Sequence, residues 1–147
     1  MIIVVADTSG LLAALDSTHP ENAAATEAIQ AAGLLVMSPL LLAELDHVAT
    51  CELGREAALG AVDDILHWMR RGRVSLPEIT EDHLGAAQMV RLRYAALDLD
   101  LADAVNVALA AEYDTDAILT LDRHDFRAVR PLGRHKAFRV LPDDLPL

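Results

Sequence analysis

A chain of 147 residues with 53% hydrophobic and 24% charged residues has the size and apolar content of one folded domain, which excludes an intrinsically disordered segment. No apolar run approaches the roughly 20 residues of a membrane span, and the opening Met1-Ile2-Ile3-Val4-Val5-Ala6-Asp7 lacks the basic start of a signal peptide, so a cytoplasmic protein without membrane contact is expected. The net charge of −11 excludes a uniformly basic nucleic-acid binder, and Cys51, as the only cysteine, excludes an internal disulfide.

Residues 2–6 form a β-branched apolar run ended by Asp7-Thr8-Ser9-Gly10, which predicts a buried strand delivering Asp7 to a helix start, with Thr8 or Ser9 available as cap. Ala-rich helices are expected over about residues 10–15 and 20–32, and Leu34-Leu35-Val36-Met37 reads as a second strand. Ser38-Pro39 then starts a helix that carries Glu44. The next helix, about Gly54 to Arg71, is amphipathic through Ala58, Val62, Ile65, Leu66 and Met69. A third strand is expected at residues 73–77, a helix from Thr80 to about Ala96, and another over about residues 101–113 that holds Asp103. Ala117-Ile118-Leu119-Thr120 is a fourth strand ending near Asp122, and Ala137-Phe138-Arg139-Val140 offers a fifth at the edge. Strands separated by helices throughout predict a single α/β domain over residues 1–147, with a mainly parallel sheet of about five strands and helices on both faces.

In such sheets ligands bind outside the carboxyl ends of the strands, where Asp7 and Asp122 would project. Glu44 has Leu40, Leu41, His47 and Val48 as its helical neighbours, and a carboxylate on an apolar face is costly unless paired, protonated or metal-bound. Asp103 lies in the first turn of its helix, where the macrodipole stabilises an acid without any catalytic role, and Asn106 shares its face. Each acid alone also reads as a turn, cap or dipole residue. Together they would crowd one sheet edge, and a hard divalent cation with oxygen ligands is the remedy for that repulsion. Mg²⁺ or Mn²⁺ so held suits phosphodiester hydrolysis. No HExxH, GxGxxG, Walker A or GxSxG pattern offers a competing chemistry, and the His47/Cys51 pair lacks two further zinc ligands.

Residues 121–140 hold six basic side chains against two acids, so this strip carries +4 beside an acidic body. It reads either as a phosphate-facing surface, with Arg123, Arg127 and Arg130 foremost, or as a solvated face. The five aromatics are too scattered for base stacking, so any RNA would be held by its backbone or shape.

Four segments resemble the acidic motifs of PIN domains, especially the VapC toxins of VapBC toxin–antitoxin modules. They are Val5-Ala6-Asp7-Thr8-Ser9-Gly10-Leu11-Leu12-Ala13, Ser38-Pro39 through Ala43-Glu44-Leu45, Leu101-Ala102-Asp103-Ala104, and Ile118-Leu119-Thr120-Leu121-Asp122-Arg123-His124-Asp125-Phe126. The likeness runs from Met1 to about Val140 in order, spacing and length. It implies a PIN-like fold and a Mg²⁺-dependent endoribonuclease that cuts a structured tRNA or rRNA loop, dimeric and held inactive by a VapB-type antitoxin. Asp7, Glu44, Asp103 and Asp122 would form the acidic cluster, with Asp7 and Asp103 foremost as ligands, Asp125 close by, and Thr8 orienting Asp7 or touching phosphate. An antitoxin segment that is acidic, or that supplies an arginine to the cluster, is the partner expected. A DNA nuclease with the same site is the rival enzyme. A receiver-like domain would want paired acids near the first strand and a lysine after the last, whereas the only lysine is Lys136; a non-catalytic partner-binding module would not need all four acids.

Overall fold

The strands explain the unbroken apolar runs. In the computed structural model, which describes residues 1–147, β1 (Ile3–Ala6) buries Val5 in one core cluster and Val4 and Ala6 in another, on opposite faces of the sheet. Both faces are covered, so β1 carries apolar residues on both. The helices α1 (Thr8–Leu15), α2 (Asn22–Ala31), α3 (Pro39–Leu53) and α4 (Arg55–Arg70) supply Leu11, Ala28, Leu41, Leu45 and Ile65 to the Val4 side. On the Val5 side lie α5 (Glu81–Arg93), α6 (Leu101–Glu112) and α7 (Arg123–Ala128), through Ala87, Val90, Val105 and Phe126.

The other strands are β2 (Leu34–Val36), β3 (Val74–Ser75), β4 (Ala117–Leu119) and β5 (Arg139–Leu141), and the sheet runs β3-β2-β1-β4-β5 with every pairing parallel. The central β1 pairs Val4 with Leu35 on one side and Ala6 with Leu119 on the other. Strand order therefore reverses at β1, and the crevice at its carboxyl end lies between the exits of β1 and β4. That adjacency brings Asp7 beside the segment 120–122.

Local chemistry sets the element ends. Ser38 Oγ accepts from the Leu40 amide at 3.1 Å with Pro39 at the first helical position, so α3 starts where the sequence predicts. The third strand shrinks to Val74–Ser75 because Leu76 is exposed and Pro77 has no amide to donate. The fifth strand lies two residues later than expected, and Phe138 instead packs its ring edge-on to Phe126, centroids 6.0 Å apart. The face expected of the fourth helix is also corrected. Ala58, Ala61 and Ile65 are its buried side, while Val62 and Leu66 are exposed.

Gly10 fixes how closely α1 approaches the sheet: a Cβ there would stand 2.7 Å from the carbonyl oxygen of Leu119. Gly10→Ala is expected to push α1 off β4 and lower stability by about 1–3 kcal/mol, read as a shifted urea midpoint at unchanged slope.

Candidate active site

Asp7 occupies the N-cap position of α1, yet its carboxylate caps nothing. Instead Oδ2 accepts from Ser9 Oγ at 3.0 Å and from Thr120 Oγ1 at 2.7 Å, while the Asp7 amide donates to the Leu119 carbonyl at 2.9 Å. Asp122 likewise begins α7 without a side-chain capping bond. At α6 the cap is Asp100, whose Oδ1 accepts from the Asp103 amide at 2.8 Å, so the Asp103 side chain is spared that duty.

Each of these spared carboxylates faces the same hollow. Asp7, Glu44, Asp103 and Asp122 line one cleft of about 320 Å³, joined by Asp100 and Glu52, with Thr8 and Ser9 on its wall and no lysine or arginine among the lining residues. Glu44 borders the buried Leu41, Leu45, Ala49 stripe of α3 and is half-buried, with no ion pair or hydrogen bond of its own. The carboxylate oxygens of Asp103, Asp122 and Asp125 approach within 4.8 Å of one another.

Such crowding changes the acids. Burial, then the charges of Asp7, Asp100 and Asp122, push the Asp103 carboxyl up to about 9. The Asp122 carboxyl is raised too, first by burial and then by Asp125. A cation beside these crowded acids would favour their charged forms and offset this repulsion. The donor set is all oxygen, which fits a hard divalent ion, and the buried Thr8 Oγ1, without any hydrogen-bond partner, is a further polar atom waiting on the cleft wall.

The remaining expected residues fall outside the hollow. Asn106 does not line the cleft; its amide donates to the Ala6 carbonyl at 3.4 Å and its Oδ1 is buried without a partner. Arg123 is not on an open strip: it is paired with Glu21 and grips Asp143 through two bonds of 2.6 and 2.9 Å. Arg127 forks onto Asp144 at 2.7 and 2.8 Å, which holds that carboxyl below the usual range. Arg130 keeps its guanidinium free of carboxylates. Because Arg123 ties the α1–α2 loop to the C-terminal segment, Arg123→Glu is expected to cost roughly 1 kcal/mol of stability by thermal melting. Ser9, Thr120, Asp100 and Glu52 are the site residues that sequence reasoning missed. Thr120, a polar residue ending an apolar strand two positions before Asp122, was the available signal.

The model of the PIN domain family matches residues 4–131. The chain belongs to the PIN-domain family. It is 37% identical over 140 residues to Ribonuclease VapC26 of Mycobacterium tuberculosis (strain ATCC 25618 / H37Rv), covering 95% of this chain and 100% of that relative. The PIN fold superposes on a crystal structure of Mycobacterium tuberculosis VapC20, a sarcin-ricin loop cleaving toxin, with a TM-score of 0.71 at 17% identity, over 82% of this chain and 90% of that one. It also matches VapBC2 from Rickettsia felis, solved bound to a DNA fragment from its promoter, with a TM-score of 0.67 at 13% identity over 95% and 98% of the two chains. The four acids sit within this PIN chain as the sequence motifs order them: at the exit of β1, on α3, in the first turn of α6 and at the exit of β4.

Proposed function

We propose that this PIN-domain chain is a divalent-metal-dependent endoribonuclease, the toxin half of a type II toxin–antitoxin module, hydrolysing a phosphodiester bond in a structured tRNA or rRNA. One observation carries the reading: six carboxylates line one cleft with no cationic side chain among them. Kinship at 37% identity to Ribonuclease VapC26 supports RNA as the substrate class.

Asp7 and Asp103, aided by Glu44 and Asp122, would hold Mg²⁺ or Mn²⁺. A cation bound there lowers the pKa of a water and offsets charge building on the phosphoryl group. The chain's own residues do the rest. Asp7, held through Oδ2, would have Oδ1 left to act in the cleft. Glu44, without a competing partner, is free to accept a hydrogen bond from the attacking water and align it opposite the leaving oxygen. Thr8 Oγ1, buried and unpartnered, can donate to a phosphate oxygen. Asp125 adds charge beside Asp103 and Asp122 and would join them in holding the cation.

RNA must approach an acidic body, so its backbone would be steered by Arg130 and by whichever of Arg123 and Arg127 exchanges its carboxylate for phosphate. The all-acid cleft also complements an arginine better than an acidic segment, which favours a VapB-type antitoxin that inserts a basic side chain. Exposed apolar side chains on α4 (Leu59, Val62, Leu66) and α5 (Met89, Leu92) offer surface for that partner and for a second copy of the chain in a homodimer. No helix is long and apolar enough to cross a membrane, in keeping with a cytoplasmic site of action.

The test is cleavage of structured RNAs, with duplex DNA as control. Mg²⁺ or Mn²⁺ should support RNA cutting and EDTA should abolish it. Full cleavage in chelator would overturn the metal mechanism, and equal cutting of DNA would overturn the substrate class.

A further inference from the structure

Two hydroxyls, one at each side of the β1–β4 junction, converge on a single carboxylate oxygen. Thr120 is completely buried and has one hydroxyl hydrogen, which goes to Asp7 Oδ2 at 2.7 Å; its oxygen accepts from the Asp122 amide at 2.9 Å. Ser9 repeats the arrangement, donating to the same Oδ2 at 3.0 Å while accepting from the Leu121 amide at 2.9 Å. The two hydroxyl oxygens lie 3.3 Å apart, and donation to the carboxylate uses the single hydrogen of each. A carboxylate oxygen that accepts two hydroxyl bonds has both lone-pair sites engaged, which leaves Oδ1 as the oxygen free to act in the cleft.

From this we infer that Ser9 and Thr120 are positioning residues, a hydroxyl clamp that makes Asp7 a one-oxygen ligand and ties its position to that of Asp122. The inference rests on the metal-dependent reading above. Asp7 leaves β1 and Asp122 leaves β4, and the sheet register alone sets their backbones, with Ala6 opposite Leu119. The side chains need a further link, because a carboxylate at the end of a strand can rotate about χ1 and χ2. The clamp supplies it: both amides that anchor the hydroxyls belong to the turn that carries Asp122, so Asp7 cannot rotate without releasing that turn. An outer residue that orients a ligand in this way governs how tightly a metal is held without touching it.

Thr120→Val keeps shape and burial but removes the hydroxyl, whereas Thr120→Ser keeps the hydroxyl. Mn²⁺ binding to the purified chain, followed by the electron paramagnetic resonance of free Mn²⁺, should weaken about 10- to 100-fold in Thr120→Val and stay near wild type in Thr120→Ser. Ser9→Ala, at a half-exposed position, should weaken binding by a smaller factor, and the double variant Ser9→Ala/Thr120→Val should show less than the product of the two losses, since both act on one oxygen. A folded Thr120→Val that binds Mn²⁺ within about twofold of wild type overturns the clamp. If that variant does not fold, Ser9→Ala decides: unchanged Mn²⁺ affinity overturns the clamp, weakened affinity supports it. A wild-type chain that takes up no Mn²⁺ overturns the metal-dependent reading itself, and with it this inference.

Discussion

Asp7→Asn is expected to reduce RNA cleavage by at least about a hundredfold while the chain stays folded. Oδ2 of Asp7 meets two hydroxyl donors, Ser9 Oγ and Thr120 Oγ1. An asparagine satisfies both only by turning its carbonyl oxygen toward them. Its amide nitrogen, a donor with no acceptor capacity, then occupies the place of Oδ1 in the cleft. The fold is served and the chemistry is lost, because a cation would meet N–H hydrogens where it needs a negative oxygen. The reading is checked by cleavage rates beside a thermal melt of the same preparation. Near-normal cleavage by a folded Asp7→Asn would remove Asp7 from the site, and joint loss of fold and activity would make its role structural.

The elements that carry the acids were legible because each ends on a strong local signal. Asp7 follows an apolar β-branched run, Glu44 lies in a helix started by Ser38-Pro39, and Asp103 sits in the first turn of its helix. What joins them was not legible, since it depends on which strands are neighbours. Thr120 and Asp7 are 113 positions apart, and nothing short of the β1–β4 pairing puts a hydroxyl against that carboxylate. The same holds for the basic strip. Its excess of arginines was plain in the sequence, but Glu21 lies 102 positions from Arg123, so the pairing that neutralises it could not be read locally. The six-residue helix α7 escaped notice because it buries one side chain, Phe126, and a single apolar residue has no period. On α4 the pattern of Val62 and Leu66 fits a helix, but the small Ala61 is buried while both of them are exposed. Periodicity identifies a helix more securely than it chooses among neighbouring faces.

Asp103→Asn is expected to stabilise the metal-free protein at pH 8 while reducing RNA cleavage. The carboxyl is pushed up to about 9 by burial and by Asp7, Asp100 and Asp122. A group raised in the folded state contributes stability that is complete below its unfolded value, near 3.8, and is lost as pH rises toward about 9. The metal-free wild type should therefore melt at a lower temperature at pH 8 than at pH 5. An asparagine is neutral at both pH values, so the variant should gain roughly 1–3 kcal/mol at pH 8, gain less at pH 5, and show a flatter pH profile. The cap of α6 survives the change, since it uses the backbone amide of residue 103 and the side chain of Asp100. Mg²⁺ should reverse the order. It binds the folded wild type in preference to the unfolded chain and raises its melting temperature, whereas a variant missing one anionic ligand should respond much less. Stabilisation without metal and loss of the metal response must appear together, because both follow from one uncompensated charge. An acid that served only the α6 dipole would behave oppositely: its removal would cost about 0.3–1 kcal/mol, leave the Mg²⁺ shift intact and leave cleavage unchanged. Melts of both proteins at pH 5 and pH 8, with and without Mg²⁺, separate the two, and the second pattern would strike Asp103 from the cluster.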